Sequence, residues 1–289
     1  MKRSKGEKIF GVCNHAFMIL LCIVCIYPLW YVFIASFSDP VAVSTGQVLL
    51  WPKGFELASY KKVMEDGTIF KAYANTIFYS VVGTVLSMVL TTLTAYALSK
   101  QRLRGRRIIN FIIMMPMWFT AGMMPTFLNF RDLGLYDTRL GVLLHGAVGA
   151  FYVIVLRTFF EGVPVSLEES AKLDGAGELR ILFNIYVPLS VPSMASIMLY
   201  YFVGRWNGYF WSMLLLKDQN KIPLQVILKR LIVEVSYSAE EQSDFSAFSM
   251  TEQTMVYATV VLAVIPMIVM YPFVQKFFVK GITVGAVKG

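Results

Sequence analysis

The sequence contains little charge, only two histidines and only three cysteines. Charged residues make up 15% of the 289 residues, whereas hydrophobic residues make up 57%, a balance outside the usual range of soluble domains. Cys13, Cys22 and Cys25 all lie in the first apolar segment, which excludes a disulfide framework. His15 shares that segment but no carboxylate accompanies it, so we expect no metal site. The composition is that of an integral membrane protein.

The sequence also lacks the short motifs of nucleotide-binding and hydrolytic proteins. It has no G-x-x-x-x-G-K-[ST] loop to hold phosphates, and neither H-E-x-x-H nor G-x-S-x-G occurs. With only two histidines, the chain offers few side chains suited to general acid–base catalysis. We therefore expect that this chain is not an enzyme and binds no cofactor of its own.

Long apolar runs dominate the sequence instead. A bilayer core of about 30 Å needs roughly 20 apolar helical residues, and six segments meet this requirement. We predict an all-α, polytopic membrane protein with six transmembrane helices in a single domain, 1–289. Residues 9–37 would form an N-terminal helix, 72–280 the core and 281–289 a C-terminal tail. The predicted spans are 9–37, 72–98, 108–129, 141–160, 194–216 and 255–279.

Basic residues mark one side of these predicted spans. The net charge is +8, but lysine and arginine gather at the ends of the apolar runs, which indicates topology rather than nucleic-acid binding. By the positive-inside rule, both termini and the segment 166–187 are cytoplasmic, whereas 38–71 and 217–254 are external. The amphipathic and then acidic segment 217–254 is either a docking surface for an external protein or a solvated cap.

The polar segment EESAKLDGAGELRILFNIYVPLSVP interrupts the apolar pattern. Ser166 and Glu169 have the spacing of a capping box, which predicts a helix start there. Asp174 and Gly175 form a turn pair that would end this helix after about two turns.

A second helix is expected to begin near Glu178 and to end at Pro188 and Pro192. Such short helices need packing to be stable, either on lipid headgroups or in a protein partner. One face of this second helix would carry Leu179, Leu182, Phe183 and Tyr186.

The spacing of this segment resembles a motif of bacterial ABC importer permeases, E-A-A, three residues, G, nine residues, I-x-L-P. Ser170 and Val187 replace the usual alanine and leucine. In that family the loop forms a coupling helix that sits in a cleft of the ATPase subunit. The resemblance implies a type I ABC importer permease fold and a set of ATPase-coupling positions: Glu169, Ser170, Ala171, Asp174, Gly175, Ile185 and Pro188.

The resemblance extends along nearly the whole chain, most closely to the carbohydrate-uptake branch that includes the smaller maltose-importer permease. It implies import of a sugar, in particular an oligosaccharide, across the bacterial plasma membrane. It also implies a second permease chain, two cytoplasmic ATPases that bind ATP and Mg²⁺, and an extracytoplasmic binding protein. The tail resembles one that contacts the ATPases, through Gly285 and Lys288. The matching segments are WPKGFELASY, TAYALSKQRLRGRR, LGLYDTRLG, FVGRWNGYFWSMLLL and GITVGAVKG.

The fifth predicted span is the best candidate for a substrate pathway. Polar side chains in a membrane are costly and usually face a cavity or a helix partner. Aromatic faces can stack on sugar rings, and Arg205 would suit an acidic oligosaccharide. The alternatives are an interfacial aromatic belt and helix packing by Asn207. The candidate residues are Arg205, Trp206, Asn207, Tyr209 and Phe210, with Tyr201 and Trp211 beside them.

A secondary transporter is the main alternative to an ABC permease, and a polytopic membrane enzyme is a less favoured one. Ion-coupled transporters usually carry intramembrane carboxylates and repeated halves. No Asp or Glu lies in the middle of a predicted span, and the sequence shows no repeated halves. His145 could line a cavity, but a lone histidine near a helix start more often bonds a backbone carbonyl.

Overall fold

A computed structural model describes residues 5–65, 67–241 and 247–286. These ranges contain helices and turns but no strand, which confirms the all-α prediction for the described part of the chain. The helices are α1 (Lys5–Ala35), α2 (Pro40–Ser44), α3 (Ala58–Glu65), α4 (Gly67–Ser99), α5 (Arg106–Met114), α6 (Met123–Asp132), α7 (Arg139–Leu144), α8 (Ala150–Glu161), α9 (Val165–Leu173), α10 (Glu178–Ile181), α11 (Val187–Leu189), α12 (Val191–Asn207), α13 (Phe210–Leu215), α14 (Leu224–Glu241) and α15 (Ala247–Ala286).

Three described helices are long and apolar enough to cross a membrane without a break. They are Gly6–Ala35, Gly67–Ser99 and Glu252–Val269. Two further pairs of helices, bent by 74° and 88°, raise the number to at most five. The predicted count of six spans is therefore not confirmed.

The third, fourth and fifth predicted spans are interrupted helices. A 3₁₀ turn at Met115–Met117 follows α5, and α6 begins only at Met123. The fourth span is divided between α7 and α8, and the fifth between α12 and α13. Apolar composition alone predicted continuous helices, because hydropathy does not register where the backbone leaves the helical conformation.

The described residues divide into two compact units by their contacts. One combines the residues before Phe70 with Leu228–Ile265. Its core contains Ile34, Val43 and Val48, with Tyr257 packed against it, and Ser59 Oγ donates a hydrogen bond to Thr254 Oγ1 at 2.8 Å.

The second unit combines Phe70–Ile227 with the residues from Pro266 onward. Its largest core gathers apolar side chains of α4, α8, α12 and the segment 181–186. A second core lies around Tyr79, Leu143 and Ile222. The single-domain prediction, with its 72–280 core, stays a prediction.

Candidate functional site

The first helix of the segment 165–189, here called the coupling hairpin, begins earlier than predicted. Helix α9 starts at Val165, its N-cap is Pro164, and no side chain caps it. The Ser166–Glu169 capping box is therefore wrong. Pro164 is extended, with ψ 127°, so the chain enters the helix before Ser166, and the serine lies inside the first turn.

The end of α9 agrees with the prediction. Gly175 has φ +77°, a left-handed conformation that glycine adopts without steric cost. The Ala176 N–H donates to the Ala171 carbonyl at 2.9 Å, and the Gly175 N–H donates to the Lys172 carbonyl at 3.0 Å. These two bonds form a Schellman motif, and Asp174 is the C-cap.

The second helix of the hairpin begins at Glu178, as predicted, and ends at Leu189, directly after Pro188. Within it a π-helical turn, Leu182–Tyr186, follows α10 and leads into α11. Pro192 lies in the first turn of α12, where its missing N–H costs little. The chain bends by 88° between Leu189 and Val191.

The buried face of the second helix also differs from the predicted one. Leu182 and Tyr186 are buried as expected, but Leu179 is 63% and Phe183 is 58% exposed. Ile181 is fully buried in their place. The π-helical turn changes the helical period only from Leu182 onward, so it bears on Phe183 but not on Leu179 or Ile181.

The predicted coupling positions fall into two groups. Glu169, Ser170, Asp174, Gly175 and Pro188 are exposed. Ala171 and Ile185 are partly buried and pack against the core of the second unit. Beside the exposed group, Leu173 is 90% and Val165 is 65% exposed, so α9 presents an apolar and acidic surface that this unit leaves uncovered.

Glu168 is a buried residue of the hairpin that the sequence analysis missed. It is only 8% exposed, and its Oε2 atom lies 2.6 Å from Lys100 Nζ. Tyr186 Oη donates to the same oxygen at 2.7 Å, and Lys172 pairs with Oε1. The (i, i+4) spacing of Glu168 and Lys172 was the one available signal; Lys100 is too distant in sequence to be paired from a pattern.

Lys100, which directly follows α4, is enclosed with Glu168. Its Nζ lies 4.1 Å from the ring centre of Tyr96 and 3.8 Å from that of Tyr186, a geometry that favours cation–π attraction. Burial lowers the pKa of Lys100, because desolvation outweighs its attraction to Glu168. Burial alone would raise the pKa of Glu168, but hydrogen bonds from Lys100, Lys172 and Tyr186 prevail and lower that pKa to about 2.

A second acidic residue extends this ion-pair network. Glu178 accepts a hydrogen bond from Tyr96 Oη at 2.9 Å and pairs with Arg102. Arg102 also lies 3.6 Å from Glu168. Both helices of the coupling hairpin are therefore tied to the segment that follows α4.

The second candidate site is a cavity of about 490 Å³ in the second unit. The interrupted fourth and fifth predicted spans both contribute to its wall. Of the predicted pathway residues, the cavity is lined by Arg205, Asn207, Tyr209 and Phe210, together with His145 and Tyr152. A few polar groups among many aromatic ones are typical of a small-molecule site.

Arg205 is held in this wall by neutral groups. Its Nη2 donates to Ser87 Oγ at 3.0 Å and to the Leu143 carbonyl at 3.1 Å. Among the described residues, no carboxylate lies within ion-pair distance of Arg205, and its Nε has no hydrogen-bond partner. Gly83 lies against it: a Cβ atom there would be 2.5 Å from Nη1. Within the described part of the chain, the positive charge of the guanidinium at the cavity is therefore not balanced by a carboxylate.

The aromatic residues near Arg205 have different placements. Trp206 is 2% exposed; it stacks on Phe202 and meets Tyr73 edge-on. It is not among the residues that line this cavity, and its place in the pathway stays a prediction. Tyr201 and Trp211 do line the cavity. His145 lines the cavity too, and its ring centre lies 4.2 Å from that of Trp211.

The contacts of the two predicted tail positions, Gly285 and Lys288, lie outside what the structure describes. Gly285 lies near the end of α15, which runs to Ala286. Lys288 lies outside the described residues. Their contact with an ATPase stays a prediction.

Comparison with known proteins identifies the family. Residues 83–284 match the family described as "Binding-protein-dependent transport system inner membrane component". The chain belongs to this family. The match covers the coupling hairpin and, except for Tyr79, the cavity lining of this permease, and it confirms the relationship that the hairpin motif indicated.

Individual relatives agree with that assignment. The polygalacturonan/rhamnogalacturonan transport system permease protein YtcP of Bacillus subtilis (strain 168) is 38% identical over 284 residues, which are 98% of this permease and 99% of the relative. A crystal structure of a bacterial ABC transporter involved in the import of the acidic polysaccharide alginate contains a chain that is 43% identical. It superimposes with a TM-score of 0.88 and covers 96% of this permease and 99% of that chain.

A more distant structure shows the fold alone. It is a bacterial alginate ABC transporter in complex with an alginate pentasaccharide-bound periplasmic protein; its matching chain is 16% identical, with a TM-score of 0.66 and coverage of 93% of both chains. The predicted ABC importer permease fold is therefore confirmed, and the permease is a multi-pass membrane protein.

Proposed function

We propose that this permease is the transmembrane subunit of an ATP-driven importer for acidic oligosaccharides in the bacterial plasma membrane. It works beside a second permease subunit, two cytoplasmic ATPase subunits that bind ATP and Mg²⁺, and an extracytoplasmic binding protein that delivers the sugar. Both termini and the coupling hairpin lie in the cytoplasm, as the basic residues around the predicted spans indicate.

The observation that carries the substrate class is the charge of Arg205 in the aromatic cavity, which meets no carboxylate among the residues that the structure describes. A guanidinium stays protonated and binds a carboxylate in a bidentate, charge-assisted geometry. The neighbouring Tyr152 and Tyr209 offer ring faces to a sugar, while Asn207 can bond its hydroxyls. Ionisable side chains inside membrane proteins usually mark such a pathway.

The names of two relatives support an acidic substrate. One relative is a polygalacturonan/rhamnogalacturonan permease, and the other belongs to an importer of alginate, an acidic polysaccharide. Both match almost the full length of this permease. We infer that the sugar carried here also contains uronic acids.

The exposed surface of α9 supports the coupling role of the hairpin. Glu169, Ser170 and Leu173 present acidic, small and apolar groups outward, and these could dock in an ATPase cleft. Movement of the ATPases on binding ATP would then shift the hairpin, and the spans attached to it would alternate between outward and inward openings.

Uptake measurements on Arg205 variants test the substrate class. In Arg205→Gln, we expect uptake of uronic-acid oligosaccharides to fall by about tenfold or more, because a hydrogen bond to a charged group contributes about 1.5–3 kcal/mol. Uptake of neutral oligosaccharides of equal length should change little. Arg205→Lys, which keeps the charge but loses the bidentate geometry, should lie between the two. Equal loss for acidic and neutral sugars would refute the acidic class.

Co-purification tests the assembly. The permease, extracted in mild detergent, should bring with it a second permease and an ATPase. A protein that purifies without any ATPase and shows ion-dependent flux would refute the proposal.

A further inference from the structure

Two neighbouring glutamates of α9 have opposite surroundings. Glu168 is 8% exposed, whereas Glu169 is exposed. Consecutive residues of a helix point about 100° apart, so one helix can turn one carboxylate inward and the next outward. The two residues can therefore serve different purposes.

Glu168 joins three separate segments at one point. Its carboxylate lies on the first helix of the hairpin, Tyr186 donates to it from the second helix, and Lys100 reaches it from the end of α4. Because the side chains of Lys100 and Glu168 are each about 10% exposed, separating them would leave two desolvated charges unpaired. The hairpin and α4 are thus held to move as one body.

Helix α4 continues from this point to the cavity. Ser87 lies on α4, the helix that leads to Lys100, and it accepts a hydrogen bond from Arg205. Thr91, one turn nearer to Lys100, pairs with Tyr201 at 2.8 Å. A displacement of the hairpin that is passed to α4 would therefore move two contacts of the cavity wall.

We propose that Glu168 is the positioning residue that locks the coupling hairpin to α4, so that movement of the hairpin reaches the Arg205 cavity, while Glu169 faces the ATPase. This inference rests on the proposed function and adds a division of labour between the two glutamates. Glu168 contacts neither nucleotide nor sugar; it acts through Lys100.

The test compares Glu168→Gln with Glu169→Gln in the assembled importer. Three quantities are measured: the ATPase retained on purification, the stimulation of ATP hydrolysis by the sugar-loaded binding protein, and the sugar transported per ATP hydrolysed. In Glu168→Gln we expect the ATPase to be retained, but stimulation and transport per ATP to fall by about tenfold, within the usual range of coupling between sites. In Glu169→Gln we expect the retained ATPase to fall instead.

Two further variants separate positioning from general stability. Lys100→Met removes the same ion pair from the side of α4, so it should lower the transport per ATP as Glu168→Gln does. Tyr186→Phe removes one hydrogen bond to Glu168 but keeps the ion pair, so its loss of transport per ATP should be smaller. A purely structural role would lower the thermal midpoint while leaving transport per ATP of the surviving protein unchanged, and that result would overturn the inference.

Other outcomes are equally decisive. Full stimulation in Glu168→Gln, or a loss of bound ATPase equal to that of Glu169→Gln, would overturn the division of labour while leaving the proposed function intact. If the wild-type permease retains no ATPase, the proposed function itself fails, and the inference fails with it.

Discussion

Lys100 and Arg205 are both basic side chains withdrawn from water, but the protein surrounds them differently. The Lys100 ammonium lies 2.6 Å from Glu168 and beside the rings of Tyr96 and Tyr186. Arg205 donates to a serine hydroxyl and a backbone carbonyl, and it meets no carboxylate among the described residues. One cation is paired with a carboxylate, whereas the other has neutral partners among the residues that the structure describes.

This difference indicates what each cation does. A buried ion pair is costly to break, so the first region serves as a fixed joint. A half-buried cation with neutral partners keeps its attraction for an anion, so the second region suits a ligand. The ion pair at the hairpin thus serves as a structural joint. The Arg205 charge in the cavity wall, which meets no carboxylate in the described part of the chain, can instead attract a ligand.

Removing each cation in turn is the strongest test of the comparison. Lys100→Met should lower the free energy of unfolding by about 3 kcal/mol, because it leaves the Glu168 carboxylate buried beside fewer partners. Arg205→Met should leave stability unchanged or slightly higher, since it removes a desolvated charge. Thermal unfolding of the purified complex measures both, with exposed Arg104→Met as the control. Equal destabilisation by the two variants would show that Arg205 is also a structural residue.

A smaller change sharpens the cavity side of the comparison. In Gly83→Ala the new Cβ would lie 2.5 Å from Arg205 Nη1, so the guanidinium must move. We expect reduced uptake of acidic oligosaccharides, with a smaller loss than in Arg205→Gln. Gly11→Ala is the matched control, because no heavy atom lies within 4 Å of its Cβ. Undiminished uptake by Gly83→Ala would mean that the position of Arg205 is not critical.

The sequence predicted the features that depend on composition and local spacing. The all-α class, the family, the turn at Gly175 and the start of the second helix at Glu178 all follow from hydropathy, glycine chemistry or motif spacing. Arg205, Trp206, Asn207, Tyr209 and Phe210 were predicted to belong to a substrate pathway because they share one short stretch, and all except Trp206 line one cavity.

The features that the sequence did not predict depend on contacts between distant segments. Glu168 and Lys100 are 68 positions apart, and no periodicity links them. The motif pointed to Glu169. Its neighbour Glu168 is distinguished by burial, which only the structure shows. Trp206 follows Arg205 directly, yet it packs on Phe202 and Tyr73. The interrupted helices were missed because an apolar run has the same composition whether or not its backbone is continuous.

A milder substitution tests the left-handed turn at Gly175, between the two helices of the coupling hairpin. Gly175→Ala places a Cβ at φ +77°, and this left-handed conformation costs about 1 kcal/mol, so we expect a lower thermal midpoint and weaker uptake. Gly177→Ala is the control: its φ of −74° is ordinary, and its Cβ would also meet nothing within 4 Å. If the two variants behave alike, the left-handed turn contributes nothing to the joint.

Acid should weaken the ion pair between Glu168 and Lys100, but this effect should be very small near neutral pH. Hydrogen bonds from Lys100, Lys172 and Tyr186 lower the pKa of Glu168 from the ordinary 4.5 to about 2 against the effect of burial. The stability that these bonds contribute is therefore complete above about pH 4.5 and is lost as the pH falls toward 2.

We expect the difference in thermal midpoint between wild type and Glu168→Gln to stay constant from pH 7 to about 5 and to shrink below about 4.5. A difference that already shrinks between pH 7 and 6 would contradict an ionised, ion-paired Glu168, because a carboxylate with so low a pKa binds no proton there.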